Sequence, residues 1–277
     1  MEITVGIFLA LFIFAFACEF IDSSLGMGYG TILTPTLLIL GFDPLVVVPA
    51  VLLSQAFGGL SASVFHHQFE NVSFSKNSMD LKIVLVIAGF GLIATVCGAL
   101  VSINISKLVL RTYIGLLVSV MGIFVLRNKP FAFSFRKMAG VGILSAFNKG
   151  VSGGGFGPVV TGGQILAGYK HKAAIGVTTL AEAPICICGF FTYIIGRTVK
   201  ELQGPILSMP VSSFFHYMFS PKMLQWELII ALLLGSILVA PFGAFTTRIL
   251  SRKTNMHYIL GILIITLGAW TLIKTWF

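Results

Sequence analysis

The sequence predicts an all-α polytopic membrane protein, and three observations carry the prediction. Of 277 residues, 57% are hydrophobic and only 10% are charged, with a mean hydropathy of +1.00. A soluble domain carries roughly a quarter charged residues, so a chain this apolar could not cover its own surface in water. Apolar runs of membrane-crossing length follow one another between short cationic connections. Finally, two glycine clusters stand at matching places in the two halves of the chain.

A helix needs about 20 mostly apolar residues to cross the hydrocarbon core. In order along the chain there are about eight hydrophobic helical units. The first, Glu2–Gly41, is long and interrupted by glycine. Leu45–Phe65 and Ile83–Ser106 contain no Asp, Glu, Lys or Arg, and Thr112–Leu126 is shorter but is extended by Leu108–Leu110. Met138–Tyr169 is again long and interrupted by glycine. Ala173–Gly196 contains only Glu182 among those residue types, and Leu228–Thr247 and Thr254–Ile273 contain none. A transmembrane barrel would show alternating segments of about ten residues, whereas these runs are continuous. Met1–Glu2 is not a basic leader region, so the first apolar stretch is expected to stay as a membrane segment. Leu202–Pro221, uncharged but holding Pro205, Pro210 and Pro221, reads as an interfacial or partly re-entrant connection.

The halves repeat. Leu25-Gly-Met-Gly-Tyr-Gly30 aligns with Ser152-Gly-Gly-Gly-Phe-Gly157, and the same offset sets Gly41-Phe42 on Gly168-Tyr169 and Gln55 on Glu182. At a larger offset Gly98-Ala99 matches Gly243-Ala244. The reading is two transmembrane repeats, residues 1–126 and 138–277, forming one membrane domain. Each opens with a Gly-broken helix followed by three plainer ones, and the cationic Arg127–Lys137 connection divides them. Each glycine in such a run weakens a helix by several tenths to about 1 kcal/mol. Backbone freed at membrane depth must be buried in protein or line a polar cavity. Matching breaks in duplicated halves are the sequence pointer to a transporter's binding site. Close helix packing through small residues is the competing explanation, and it accounts poorly for Gly153-Gly154-Gly155.

The formal net charge of +9 reflects Lys and Arg placed between apolar units, as membrane proteins place them, and gives no support to nucleic-acid binding. If all eight units span, the halves are parallel and the loop cations divide ten against seven. If the Gly-broken units are re-entrant, the halves are inverted. The division is then eleven (Lys76, Lys82, Arg127, Lys129, Arg136, Lys137, Lys170, Lys172, Arg248, Arg252, Lys253) against six (Lys107, Arg111, Arg197, Lys200, Lys222, Lys274). Either way Arg127–Lys137 is expected on the cytoplasmic side. Cys18, Cys97, Cys186 and Cys188 all lie in apolar runs and read as packing residues. His66-His67 at a helix end reads as interfacial rather than metal-binding, and Trp226, Trp270 and Trp276 as an aromatic belt. No nucleotide, hydrolase or metalloprotease motif appears, so neither an enzyme, a metal site nor a cofactor is expected.

Charged groups inside spans are costly and default to functional candidates. Asp22 and Lys149 occupy the same place in the two repeats, just before each glycine run, and are expected to pair across the two-fold. Lys149 sits in Asn148-Lys149-Gly150-Val151-Ser152. A cation, an amide, a hydroxyl and freed backbone N–H groups together make an anion cradle. The expected substrate-binding residues are Ser23, Ser24, Gly26, Gly28, Asn148, Lys149, Ser152, Gly154 and Gly155, between the two breaks near the bilayer midplane. Glu182, with its repeat counterpart Gln55, and Glu19, one turn before Asp22, are candidates for a coupling or charge-pair role. Thr31 and Thr34 are further hydroxyl candidates. The partners these features imply are a small anionic substrate and the lipid bilayer, with a coupling proton or ion and a homodimer both left open.

Asp22-Ser-Ser-Leu-Gly-Met-Gly-Tyr-Gly-Thr31, with Pro35 and Gly41 following, resembles the first repeat motif of the sulfite exporter TauE/SafE family. Gly150-Val-Ser-Gly-Gly-Gly-Phe-Gly-Pro158, with Gly168 following, resembles the second. Met27 and Tyr29 depart from the purer glycine run common in the first motif, so the two cradles are expected to be unequal. The resemblance covers the whole chain and implies a multi-pass plasma-membrane permease for sulfite, sulfoacetate or related organosulfonates, often in export. A secondary transporter is the leading expectation. A passive anion channel is the alternative, and an intramembrane enzyme is a distant third.

Overall fold

The computed structural model describes residues 3–127, 134–202, 210–249 and 256–277. They form eleven helices: α1 (Val5–Leu25), α2 (Tyr29–Ile39), α3 (Pro44–Gln68), α4 (Met79–Asn104), α5 (Lys107–Arg127), α6 (Phe135–Ser152), α7 (Phe156–Leu166), α8 (His171–Leu202), α9 (Val211–Met218), α10 (Trp226–Ile249) and α11 (Met256–Trp276). No strand occurs among the described residues. Each Gly-interrupted unit becomes a pair of helices, each plain apolar run becomes one, and α9 lies in the proline-rich connection, of which 203–209 fall outside the described residues. Lys129, Arg252 and Lys253 fall outside them too. By length and apolarity α1, α3, α4, α8 and α10 can each cross a membrane.

Helix ends follow from local chemistry. Asp43 caps α3 by accepting from Leu45 N–H at 2.9 Å, with Pro44 in the first helical position. Ser78 caps α4 by accepting from Leu81 N–H at 3.1 Å. Cations close several C-terminal ends by donating to helix-end carbonyls: Lys274 to Ile39 O at 2.6 Å, Lys200 to Ile103 O at 2.7 Å and Lys172 to Arg248 O at 2.5 Å.

Contacts between helices fix their directions. Gly235 lies against Phe12 and Phe16, and Gly243 against Ser23, so α1 and α10 run parallel. Arg197 joins the start of α3 (Leu45 O) to the segment before α10 (Met223 O), which places the starts of α1, α3 and α10 at one end. The last turn of α2 returns to that end, where Lys274 holds Ile39 O and Arg111 holds Phe42 O. Thus α1 and α2 form a hairpin that enters and leaves on one side. In the other half α6 runs parallel to α4, with Gly142 against Ile87 and Gly150 against Thr95. The end of α7 reaches the start of α4 through the Tyr169–Asp80 hydrogen bond. The α6–α7 hairpin therefore opens to the opposite side. Between the hairpins α3 and α8 pack antiparallel, Gly59 meeting Thr179 and Gly189 meeting Leu52. Likewise α5 and α11 pack antiparallel on small residues, Gly115 against Gly268 and Gly122 against Gly261.

Candidate functional site

The hairpin turns are built by glycine. Gly26 ends α1 in the left-handed region (φ 73°), its N–H donating to Asp22 O at 2.6 Å. Gly153 ends α6 in the same way (φ 72°), its N–H donating to Lys149 O at 2.8 Å. This is the usual glycine stop of a helix, placed here in the interior. The two turns then press on each other. A Cβ at Gly30 would fall 1.9 Å from Gly153 O, and one at Gly157 would fall 2.5 Å from Gly26 O. Under the sequence alignment Gly26 matches Gly153 and Gly30 matches Gly157, so these are one contact made twice, reciprocally. A two-fold relation demands that pattern.

Beside the crossed turns lies a sealed cluster of charge. Lys149, 1% exposed, ends with its ammonium 2.8 Å from Glu182 Oε1. It also donates a short hydrogen bond to Gln55 Oε1. The Gln55 amide donates in turn to Asp22 Oδ2 at 3.3 Å, and Tyr29 N–H donates to Asp22 Oδ1 at 3.2 Å. The order is therefore Tyr29 N–H, Asp22, Gln55, Lys149, Glu182. Gln55 lies near the middle of α3, about 17–20 Å from either end at 1.5 Å per residue, and Glu182 lies well inside α8, about 17 Å from its start.

This corrects the pairing expected from sequence. Asp22 does not meet Lys149 directly; Glu182 does, and Gln55 bridges to Asp22. Asp22 and Gln55 are 33 residues apart, and so are Lys149 and Glu182 (182 − 149). Each break residue is thus bound by the same helix of its own half, and the Gln55–Lys149 bond joins the halves.

The other sequence candidates divide. Asn148 Oδ1 accepts from Tyr113 O–H at 2.5 Å, and the Ser152 hydroxyl donates to Asn148 O at 2.8 Å. Gly154 N–H donates to Ser152 Oγ at 3.1 Å and Gly155 N–H to Thr31 Oγ1 at 3.2 Å. Three of the N–H groups at the breaks are therefore already occupied: Tyr29 N–H by the Asp22 carboxylate, and Gly154 and Gly155 N–H by neutral hydroxyls. Gly26 and Gly28 shape the first turn. Ser23 and Ser24 turn their hydroxyls back on α1, to Glu19 O at 2.6 Å and Ile21 O at 3.2 Å. Glu19 is fully buried on the side of α3 and α10; its Cδ would lie 3.2 Å from a Cβ at Gly58, and neither carboxyl oxygen has a hydrogen-bond partner.

His66, in the last turn of α3, is fully buried within the protein, its Nε2–H donating to Ser23 O at 2.9 Å while Nδ1 accepts from the Asn71 amide at 3.1 Å. Asn71 also donates to Ala244 O at 2.8 Å, and Thr247 O–H donates to Ser24 O at 2.9 Å. These residues brace the broken end of α1. Sequence reasoning also missed Tyr29, whose hydroxyl donates to Ser54 Oγ at 2.7 Å, and Thr161, which donates to Gly26 O at 2.7 Å. Hydroxyls are ordinary in membrane helices, and nothing in the spacing marks these. Among the described residues no His, Cys, Asp or Glu group has the arrangement of a metal site.

A helical bundle with several membrane-length helices, two opposed hairpins and an ionic cluster sealed at mid-depth has the build of a multi-pass membrane transporter. The chain belongs to the family described as Sulfite exporter TauE/SafE, whose sequence profile matches residues 11–271. It is also 25% identical over 283 aligned residues to a Bacillus subtilis (strain 168) protein titled "Probable membrane transporter protein YtnM", an alignment that spans 96% of this chain and 84% of that protein. Both descriptions are of transporters, not enzymes.

Proposed function

We propose that this protein is a secondary transporter that carries a small sulfur-containing anion, sulfite, sulfoacetate or a related organosulfonate, outward across the plasma membrane. The observation that carries the reading is Lys149. It is a full cation, 1% exposed, at the place where two broken helices cross. An anion brought into low dielectric must be compensated, and a helix end offers only about half a charge. The ammonium supplies the rest, and Asn148, Ser152, Gly154 and Gly155 on the same turn would exchange their present internal partners for the anion's oxygens when the site opens. The sulfur anion and the outward direction rest on the family's description.

A carrier is favoured over a channel because the cluster is closed. Asp22, Gln55, Lys149 and Glu182 are all under 5% exposed, which suits a site opened alternately to either side. The opposed hairpins and reciprocal glycine contacts support residues 1–126 and 138–277 as inverted repeats. With that topology the cations split eleven against six, which puts the Arg127–Lys137 side in the cytoplasm. Calorimetry on the purified protein with sulfite, sulfoacetate and chloride tests the substrate. Binding of at least one sulfur anion, well above chloride, is expected; no preference over chloride refutes the substrate class.

A further inference from the structure

We propose that the coupling ion is a proton, that it binds Asp22, and that it enters the site together with the substrate anion. The inference rests on the proposed anion site and names its coupling partner. Asp22 accepts on both oxygens, from Tyr29 N–H at the start of α2 and from the Gln55 amide. Gln55 in turn holds Lys149. The carboxylate therefore fills, from within the protein, the kind of place an anionic substrate takes: a helix N-terminus linked to a buried ammonium. The equivalent start of α7 has no side-chain cap, and only the neutral hydroxyls of Ser152 and Thr31 accept from the Gly154 and Gly155 N–H groups just before it. At the crossing itself the halves differ in charge, with Asp22 opposite Lys149 and Gln55 opposite Glu182.

Charge counting does the rest. In the closed empty state Lys149 faces Glu182 and, through Gln55, Asp22, so two carboxylates already share one ammonium. A substrate anion would be a third negative group around that cation in a sealed site, which low dielectric makes prohibitive. A proton on Asp22 removes one of them. It also turns one carboxyl oxygen into a donor and weakens the other as an acceptor, which loosens the hold on Tyr29 N–H and the Gln55 amide and lets the incoming anion compete for them. The charged groups acting on Asp22 are Glu182 and Lys149, with Glu19 one turn back on its own helix. Cys18 on α1 and Cys186 on α8 are the thiols of the same neighbourhood, Tyr29 is the phenol, and His66 of α3 holds the adjacent Ser23 carbonyl. Of the three acids, Glu182 is committed to Lys149 by a direct ion pair. Glu19 has no hydrogen-bond partner among the described residues and touches neither Gln55 nor Lys149 by a hydrogen bond or ion pair, so it is not part of the chain of contacts that reaches the ammonium. Asp22 is the one whose partners serve equally well for substrate. One proton moving with a monovalent sulfonate or hydrogensulfite makes the transfer electroneutral, whereas a dianion such as sulfoacetate leaves with one net negative charge.

The test is proton uptake on binding, measured in weakly buffered detergent solution with methanesulfonate, which stays ionised throughout, and with sulfoacetate in parallel. The wild type should take up about one proton per anion bound, and its affinity should fall about tenfold per pH unit on the alkaline side. Asp22→Asn should bind with no proton uptake and with affinity independent of pH. Glu19→Gln should keep the proton uptake. Binding by the wild type without proton uptake overturns the inference while leaving the anion site standing. Uptake that persists in Asp22→Asn and vanishes in Glu19→Gln or Glu182→Gln assigns the proton elsewhere and also overturns it. Should Asp22→Asn fail to fold, the wild-type pH dependence and the Glu19→Gln and Glu182→Gln variants still decide the matter: loss of uptake in either variant refutes Asp22. If the wild type binds neither anion, the sulfur-anion reading falls and takes this inference with it.

Discussion

Removing the Lys149 ammonium separates what the cluster does for folding from what it does for substrate. In Lys149→Ala, Glu182 loses its partner at 2.8 Å and Gln55 loses its donor, with all three residues under 5% exposed. Breaking a buried ion pair from one side costs about 3–5 kcal/mol, because an uncompensated charge remains. The paired variant Lys149→Met with Glu182→Gln removes both charges, and most of that stability should return. Substrate affinity should not return. A charged hydrogen-bond donor contributes about 1.5–3 kcal/mol to holding an anion, so both variants should bind about 10- to 150-fold more weakly. Lys149→Arg keeps the charge with another geometry and should retain part of the affinity. The assay is calorimetry with sulfite or sulfoacetate on purified protein, with thermal denaturation alongside. Unchanged affinity in the paired variant would remove Lys149 from the site and leave the backbone N–H groups to act alone.

Three further outcomes are expected. In a background without Cys18, Cys97, Cys186 and Cys188, a cysteine at Lys76 should react with an impermeant maleimide only from the cytoplasmic side, and one at Lys222 only from the outside; labelling of both from one side contradicts the opposed hairpins. Gly30→Ala should sharply lower the yield of folded protein, because its Cβ would meet Gly153 O at 1.9 Å, whereas Gly162→Ala, with no neighbour within 4 Å, should behave as wild type; equal yields would refute the close crossing of the two turns. His66→Ala should lower thermal stability by about 1–3 kcal/mol by removing two buried hydrogen bonds, to Ser23 O and from the Asn71 amide, and leaving these groups only Thr247 O–H and Ala244 O; no loss would refute its bracing role.

Much of the helix arrangement was legible in the apolar runs, because in lipid each backbone group must be satisfied within its own helix. Run length therefore translates almost directly into helix length, as Leu45–Phe65 does into α3 and Leu228–Thr247 into α10. The breaks were legible because glycine both weakens a helix and supplies the left-handed stop seen at Gly26 and Gly153. Whether the broken units spanned or returned was not. A run of given length reads alike either way, and only contacts such as Lys274 with Ile39 O decide it. The pairing of Lys149 was half legible. The alignment matched Asp22 with Lys149 and Gln55 with Glu182, but spacing along a chain does not say which helices touch. The bracing contacts of His66 were not legible, because the sequence does not show that α1, α10 and the turn at Asn71 close over the end of α3.

Counterflow in proteoliposomes tests the central claim most directly. Vesicles holding the purified protein are loaded with unlabelled sulfite or sulfoacetate and diluted into a trace of the labelled anion. A carrier with one site opened alternately to each side should accumulate label transiently above its equilibrium level, and Lys149→Ala vesicles should not. Label that merely equilibrates, at the same rate with or without an internal load, would contradict the account and indicate an open anion pathway.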